Sequence, residues 1–326
     1  MQRRNFLKLS AVGAAGVLWG CQDGGNAGGV MVMTHGGALP EARSSGGFSW
    51  FGDDSAPAPA VTREVHVLAP DAAYSAFDRQ GYEYEIEPWN GRVVERGMMG
   101  VMLRQFGVFG VNADQLNHPV ALAFGPDDNL YVVDRGNHRV QVFDRAGRHL
   151  RQIGGYGSAE GQLSYPQDLL FDPAGRLFVA DMLNHRVQVF ATNGRSIAQF
   201  GELGTEPGML NGPASLALAA DGTLHVLDAG NGRVQVFSLE GEFLRGYGER
   251  GDLPGQLSLP RALVLASDGT GFVADVASAT IEVWKADGSF EQRFEPLFED
   301  GSRAAPVDLA LGPDGDLYIS AVTAAA

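Results

Sequence analysis

The chain has 326 residues, 44% of them hydrophobic, a globular composition that is long enough for one large core or two ordinary ones and excludes general disorder. Its formal charge is −15, from 24 basic against 39 acidic residues, and three of the basic ones (Arg3, Arg4, Lys8) fall in the first twenty, leaving the rest more acidic still. Binding to a phosphate backbone draws most of its affinity from Lys and Arg, and no run of either is present, so nucleic acid is excluded as the expected partner.

Met1 to Cys21, MQRRNFLKLSAVGAAGVLWGC, has a basic start, paired Arg3 and Arg4, Phe6 and Leu7, and an apolar run from Leu9 to Trp19. That run is shorter than the roughly 20 residues a spanning helix needs, which favours a cleaved signal over a permanent anchor. The segment resembles a twin-arginine export signal (residues 1–20) ending in a lipobox. Trp19 departs from the small residue usual two places before the cysteine. The resemblance implies that Cys21, the single cysteine, is acylated. It implies an exported lipoprotein on the periplasmic side of a bacterial membrane, held to that membrane by the lipid alone. Gln22 after the cysteine implies the outer membrane. With Cys21 acylated, no thiol remains for a disulfide or a cysteine metal site. Residues 22–60, rich in Gly, Ser, Ala and Pro, read as a tether. FSWF, Phe48 to Phe51, is too aromatic for a linker and is expected to pack on the domain, which spans 61–326.

Beyond the tether the sequence repeats. Pro119, Pro166, Pro213 and Pro260 stand 47 residues apart and Pro306 follows after 46; Asp134, Asp181, Asp228 and Asp275 keep the same step, as do Gly107, Gly154, Gly201 and Gly248. A period held this strictly predicts a stacked or circular repeat architecture. A degenerate unit at 72–118 carries Gly81, NGRV (Asn90 to Val93) and LRQFG (Leu103 to Gly107), with Glu87 at the Asp position. Within each unit an apolar segment such as ALAF (Ala121 to Phe124) leads to a turn such as DPAG (Asp172 to Gly175). LYVVD, RVQVF, a second Gly turn and LRQIG follow. Alternation in VQVF and Asp-Gly or Asn-Gly turns predict a four-stranded meander per unit. A sheet apolar on both faces must stack on its neighbours, and a ring removes the exposed ends.

Asp134-x-x-Asn137-His138-Arg139-Val140-x-Val142-Phe143 and its copies resemble the NHL-repeat β-propeller family over about 72–320. The fold class expected is all-β, a six-bladed propeller of four-stranded antiparallel blades. Units start at 72, 119, 166, 213 and 260, and a sixth at Pro306 supplies two strands. Strands before the first unit, from GFSWF and TREVHVL (Thr62 to Leu68), are expected to complete the last blade.

Residues present in every blade brace the blade, whereas a site in a ring is usually unique. Asp134, Arg139, Asp181, Arg186, Asp228, Arg233 and Asp275 are therefore read as structural, each Asp accepting backbone N–H groups in the loop after the second strand. His138 and His185 share a position filled elsewhere by Gly91, Gly232 and Ala279, and are read as structural rather than as ligands of a common zinc, which needs three or four convergent donors. The positions that vary around each Pro are the binding candidates: Gln167, Asp168, Ser215, Arg261 and Asp308 at the mouth of the central channel, with His118 and Tyr165 at its rim. No metal or cofactor is expected.

Two functions remain open. One is a monomeric, non-catalytic scaffold offering its top face to a protein, peptide or glycan partner. The other is a metal-dependent enzyme with a degenerate site, resembling the peptidyl-α-hydroxyglycine α-amidating lyases or the lactonases and streptogramin lyase of similar architecture. Resemblance to the amidating lyases implies a zinc-binding histidine after each Pro, where this chain has Val120, Gln167, Ala214, Arg261 and Val307, with His118 alone lying close, and resemblance to the lactonases and streptogramin lyase implies acidic or histidine clusters around the channel. The reading leans away from an enzyme.

Overall fold

The structure, a computed structural model, describes residues 33–34, 65–68, 73–78, 80–97, 100–298, 301–312 and 315–323. The expected export signal, Cys21, and the tether apart from Met33–Thr34, FSWF included, lie outside the described residues.

After β1 (Val65–Leu68), each of the first five repeat units forms one sheet of four antiparallel strands in chain order. The first is β2–β5 (Ala73–Phe77, Glu83–Glu87, Arg92–Arg96, Met102–Phe106) and the second β6–β9 (Pro119–Phe124, Leu130–Asp134, Arg139–Phe143, His149–Gly154). The third is β10–β13 (Pro166–Phe171, Leu177–Asp181, Arg186–Phe190, Ser196–Phe200) and the fourth β14–β17 (Pro213–Leu218, Leu224–Asp228, Arg233–Phe237, Phe243–Tyr247). The fifth is β18–β21 (Pro260–Leu265, Gly271–Asp275, Thr280–Trp284, Phe290–Glu295), with Met33–Thr34 paired to its outer edge. β22 (Ala304–Leu311) and β23 (Leu317–Thr323) follow.

RVQVF shows why these sheets stack. Side chains alternate across a strand: Val140 and Val142 join Leu169, Leu177 and Val179 of the third sheet in one buried cluster. Phe143 joins Tyr84, Ile86 and Val93 of the first. Both faces are core, and burying Phe143 alone is worth about 1.5–3 kcal/mol. The tight turns use glycine where φ must be positive: Gly175, at φ 82°, donates its N–H to Asp172 O at 2.9 Å in DPAG. First strands of successive sheets lie side by side around an axis, so the fold is a β-propeller.

The blade count corrects the expectation. Among the described residues there are five four-stranded blades, not six; beside two short parallel pairs in the loops, the sheet that follows the blades has three strands in the order β1, β23, β22. The sixth unit gives only an antiparallel pair, and β1 adds a single strand to it in parallel register, Val65 opposite Leu317, where two antiparallel strands were expected. The seam beside this sheet also differs chemically. The face of the second blade that meets its predecessor carries Leu130, Val132 and Phe143, whereas the same register of the first blade carries Glu83, Glu85 and Arg96, with Arg96 Nε 2.6 Å from Glu85 Oε2. The first blade thus meets the terminal sheet through a charged face.

Candidate functional site

The inner strands of the second to fifth blades open on a proline, which lacks an N–H and so suits the start of a strand, and in β22 Pro306 is the third residue. Directly after it the register shifts. Pro166 pairs with Asp181 but Asp168 with Ala180, which leaves Gln167 as a bulge; the shift recurs at Pro213/Ser215, Pro260/Ala262 and Pro306/Asp308. A bulge re-aims neighbouring side chains, so consecutive residues can face one space. Gln167, Asp168, Ser215, Arg261 and Asp308 accordingly line one central channel of about 380 Å³, with Val120, Leu122, Val264 and Leu309 among its apolar walls.

Asp168 and Ser215 knit three blades together there. Asp168 Oδ2 accepts the Ser215 hydroxyl at 2.9 Å and the Leu216 N–H at 2.8 Å, and Oδ1 accepts the Leu169 N–H at 2.7 Å. Ser215 Oγ in turn accepts the Leu263 N–H of the fifth blade at 3.2 Å. Half-buried in the channel wall, the Asp168 carboxyl is pushed up to about 6 by burial, partly opposed by these hydrogen bonds. Arg261 is exposed at the mouth and forms no ion pair among the described residues. Gln167 donates its amide to the Met182 sulfur at 3.1 Å.

His118 and Tyr165 lie outside this lining. Both adopt positive φ just before their prolines, 49° and 57°, which turns them toward the loops. His118 sits edge-on to Trp89 at 4.8 Å and donates its Nδ1–H to Asn117 Oδ1 at 2.8 Å. Tyr165 lies 4.9 Å beneath the Arg135 guanidinium. Conversely, the lining residue Met182 escaped sequence reasoning, although a signal was present: it follows the repeated Asp181, where the copies are Arg135, Ala229 and Val276, and Ala229 lines the channel too.

The repeated Asp and Arg form a different kind of centre. Asp134 Oδ1 accepts the Asn117 N–H at 2.6 Å, while Oδ2 accepts Asn137 Nδ2 at 2.8 Å, Arg139 Nε at 2.8 Å and Gln141 Nε2 at 3.1 Å. Arg139 Nη2 reaches the Asn112 and Gln115 carbonyls of the loop entering the blade. Asp181 with Arg186 and Asp228 with Arg233 repeat the arrangement at 2.9 and 2.8 Å. Asp275 accepts four backbone N–H groups instead, from Ser258, Leu259, Ala277 and Ser278. His138 and His185 serve separate blade junctions: Nδ1 of each accepts a backbone N–H of the next blade, from Tyr165 at 2.9 Å and Gly212 at 3.1 Å.

Among the described residues no group of three or more His, Cys, Asp or Glu side chains is placed to hold a metal ion. The donors around the channel, two carboxylates, a serine, an amide and an arginine, do not fit a histidine-held zinc.

A model of the NHL repeat matches residues 116–143 and 163–190, the junctions and clamps of the second and third blades. No curated protein matches the chain in sequence. Among solved structures, virginiamycin B lyase from Staphylococcus aureus is similar at 13% identity over 77% of this chain and 78% of that one, with a TM-score of 0.59. XC5397 from Xanthomonas campestris, described as a gluconolactonase, is similar at 16% identity over 80% and 87%, with a TM-score of 0.60. Hydrazine synthase from Kuenenia stuttgartiensis gives 12% identity over 78% and 96%, with a TM-score of 0.53. At these identities the likeness is one of fold: a β-propeller with NHL repeats in two adjacent blades.

Proposed function

We propose that the protein is an exported, lipid-anchored binding scaffold that captures its partner at the proline-bearing mouth of the channel, taking in a small ligand or the end of a peptide or glycan. The observation that carries this reading is the convergence of Asp168, Ser215, Arg261, Gln167 and Asp308 on one channel with apolar walls, the make-up of a small-ligand site. The repeated clamps, by contrast, are engaged within their own blades. Arg261→Glu is expected to lower partner capture from membrane fractions at least tenfold, while an exposed substitution of this kind shifts stability by no more than about 0.5 kcal/mol. Unchanged capture, or capture lost together with folding, would defeat the reading. The anchor has its own test: Cys21→Ser is expected to move the protein from the membrane to the soluble periplasmic fraction on detergent partitioning.

One observation favours a catalytic second reading. A carboxyl at about 6, hydrogen-bonded to a serine inside a channel, is suited to take a proton near neutral pH. The fold neighbours include a protein described as a gluconolactonase and a virginiamycin B lyase. Lactone hydrolysis or lyase turnover by the purified protein that disappears in Asp168→Asn would establish it.

A further inference from the structure

The channel holds opposite charges that do not neutralise each other. No ion pair within 4 Å joins Arg261 to Asp168: Arg261 stands exposed on the fifth blade, and Asp168, half-buried, on the third. The three donors on Asp168 are a hydroxyl and two backbone N–H groups, all neutral. A carboxylate offers about four acceptor sites, so one on Oδ1 is left over in a residue that lines the channel. A carboxylate withdrawn from water is ordinarily paired with a cation; Asp168, half-buried in the channel wall, has no ion pair among the described residues.

Resting on the binding reading above, we propose that the ligand is a small zwitterion with an aliphatic body, a free α-amino acid of the leucine type. Its ammonium group would meet Asp168, its carboxylate Arg261, and its side chain the wall formed by Val120, Leu122, Val264 and Leu309. Charge decides between ligand classes here. A simple anion would face the Asp168 carboxylate, and a simple cation would enter past Arg261. A zwitterion satisfies both ends, and specificity then follows from the penalty on a ligand that leaves one of the two charges unmet. A volume of about 380 Å³ is at the small end of the range of about 300–1,000 Å³ for small-molecule sites, which suits a single amino acid better than a long chain.

The test is titration calorimetry of the full chain with L-leucine, N-acetyl-L-leucine and L-leucinamide at pH 7.5. Leucine is expected to bind most tightly, and capping either end to weaken binding at least tenfold. In Asp168→Asn the preference for the free amine should vanish, and in Arg261→Gln the preference for the free carboxylate. Affinity for leucine should also fall about tenfold per pH unit once Asp168 is protonated, below about pH 6. Equal binding of the three ligands, tighter binding of a capped one, or no binding of leucine overturns the inference. The comparison of ligands on the unmodified protein stands even if a variant fails to fold. The wider binding reading is judged separately, by partner capture with Arg261→Glu, so its failure is not confused with this one.

Discussion

Replacing Asp181 by alanine is expected to destabilise the protein by about 3–5 kcal/mol, the usual cost of removing one partner of a buried ion pair. Asp181 is fully buried, and Arg186 has 6% of its surface exposed. The carboxylate accepts the Ser164 N–H at 2.6 Å, Asn184 Nδ2 at 2.8 Å, Arg186 Nε at 2.9 Å and Gln188 Nε2 at 3.3 Å. Without it, the guanidinium keeps the Ala159 and Gln162 carbonyls and Gln199 Oε1 but no counter-charge. In a chain of this size the melting temperature should fall by on the order of 10 °C. Adding Arg186→Met removes the stranded charge and should restore about 1–3 kcal/mol, since a buried pair can often be replaced by apolar groups at little cost. Urea midpoints of the two single variants and the double one measure this. Losses that simply add would mean that the pair does not act as a unit.

The clamp was legible because it is repeated. In the second and third blades Arg139 and Arg186 sit on the third strand and reach Gln152 and Gln199 on the fourth. In the fifth blade the sequence breaks the pattern, Thr280 replacing Arg and Glu282 replacing Gln, and the structure supplies the reason. Arg293, in the register of Gln152 and Gln199, moves the cation to the fourth strand and pairs with Glu282. Glu282 Oε2 still accepts the Gly255 N–H at 3.0 Å, as Gln188 Oε1 accepts that of Gly161 at 3.0 Å. Periodicity finds the positions; the exchange of partners across strands needs their pairing.

The channel was legible in part. Five of the seven candidates line it, because positions that vary beside a fixed proline mark the axis of a ring. His118 and Tyr165, expected at the rim, are not among the lining residues; both adopt a positive φ before proline, where a residue is normally held extended, and that cannot be read from residue type. Nor could the bulge that lets Gln167 and Asp168 share the channel, for strict alternation would send neighbours to opposite faces. The six-blade count failed for a related reason. Strand-forming residues at the N-terminal side were countable, but the parallel direction in which Val65–Leu68 joins β23 was not.

Replacing His225 by phenylalanine is expected to make the protein about 2 kcal/mol less sensitive to acidification from pH 7.5 to 5. His225 occupies the register filled by Tyr84, Tyr131, Phe178 and Phe272 in the other blades, so an aromatic ring fits there. Its Nδ1 lies 2.9 Å from the Tyr247 hydroxyl. Burial first, and the charge of Arg245 second, push its pKa down to about 4, with Asp221 acting weakly the other way. The depressed pKa means that the folded protein keeps His225 neutral while the unfolded chain takes up a proton near 6.5. Its contribution is intact above that pH and is lost as pH falls toward 4. Asp168 works in the opposite sense. With its folded pKa raised to about 6 against roughly 3.9 in the unfolded chain, acidification through that window adds stability, about 1.5 kcal/mol by pH 5. In the native protein the two largely offset each other. His225→Phe should therefore reveal a protein that gains stability on mild acidification, and Asp168→Asn one that loses it. Urea midpoints at pH 7.5 and 5.0 separate the two, and variants that track the native protein in parallel would show that neither buried group governs its response to acid.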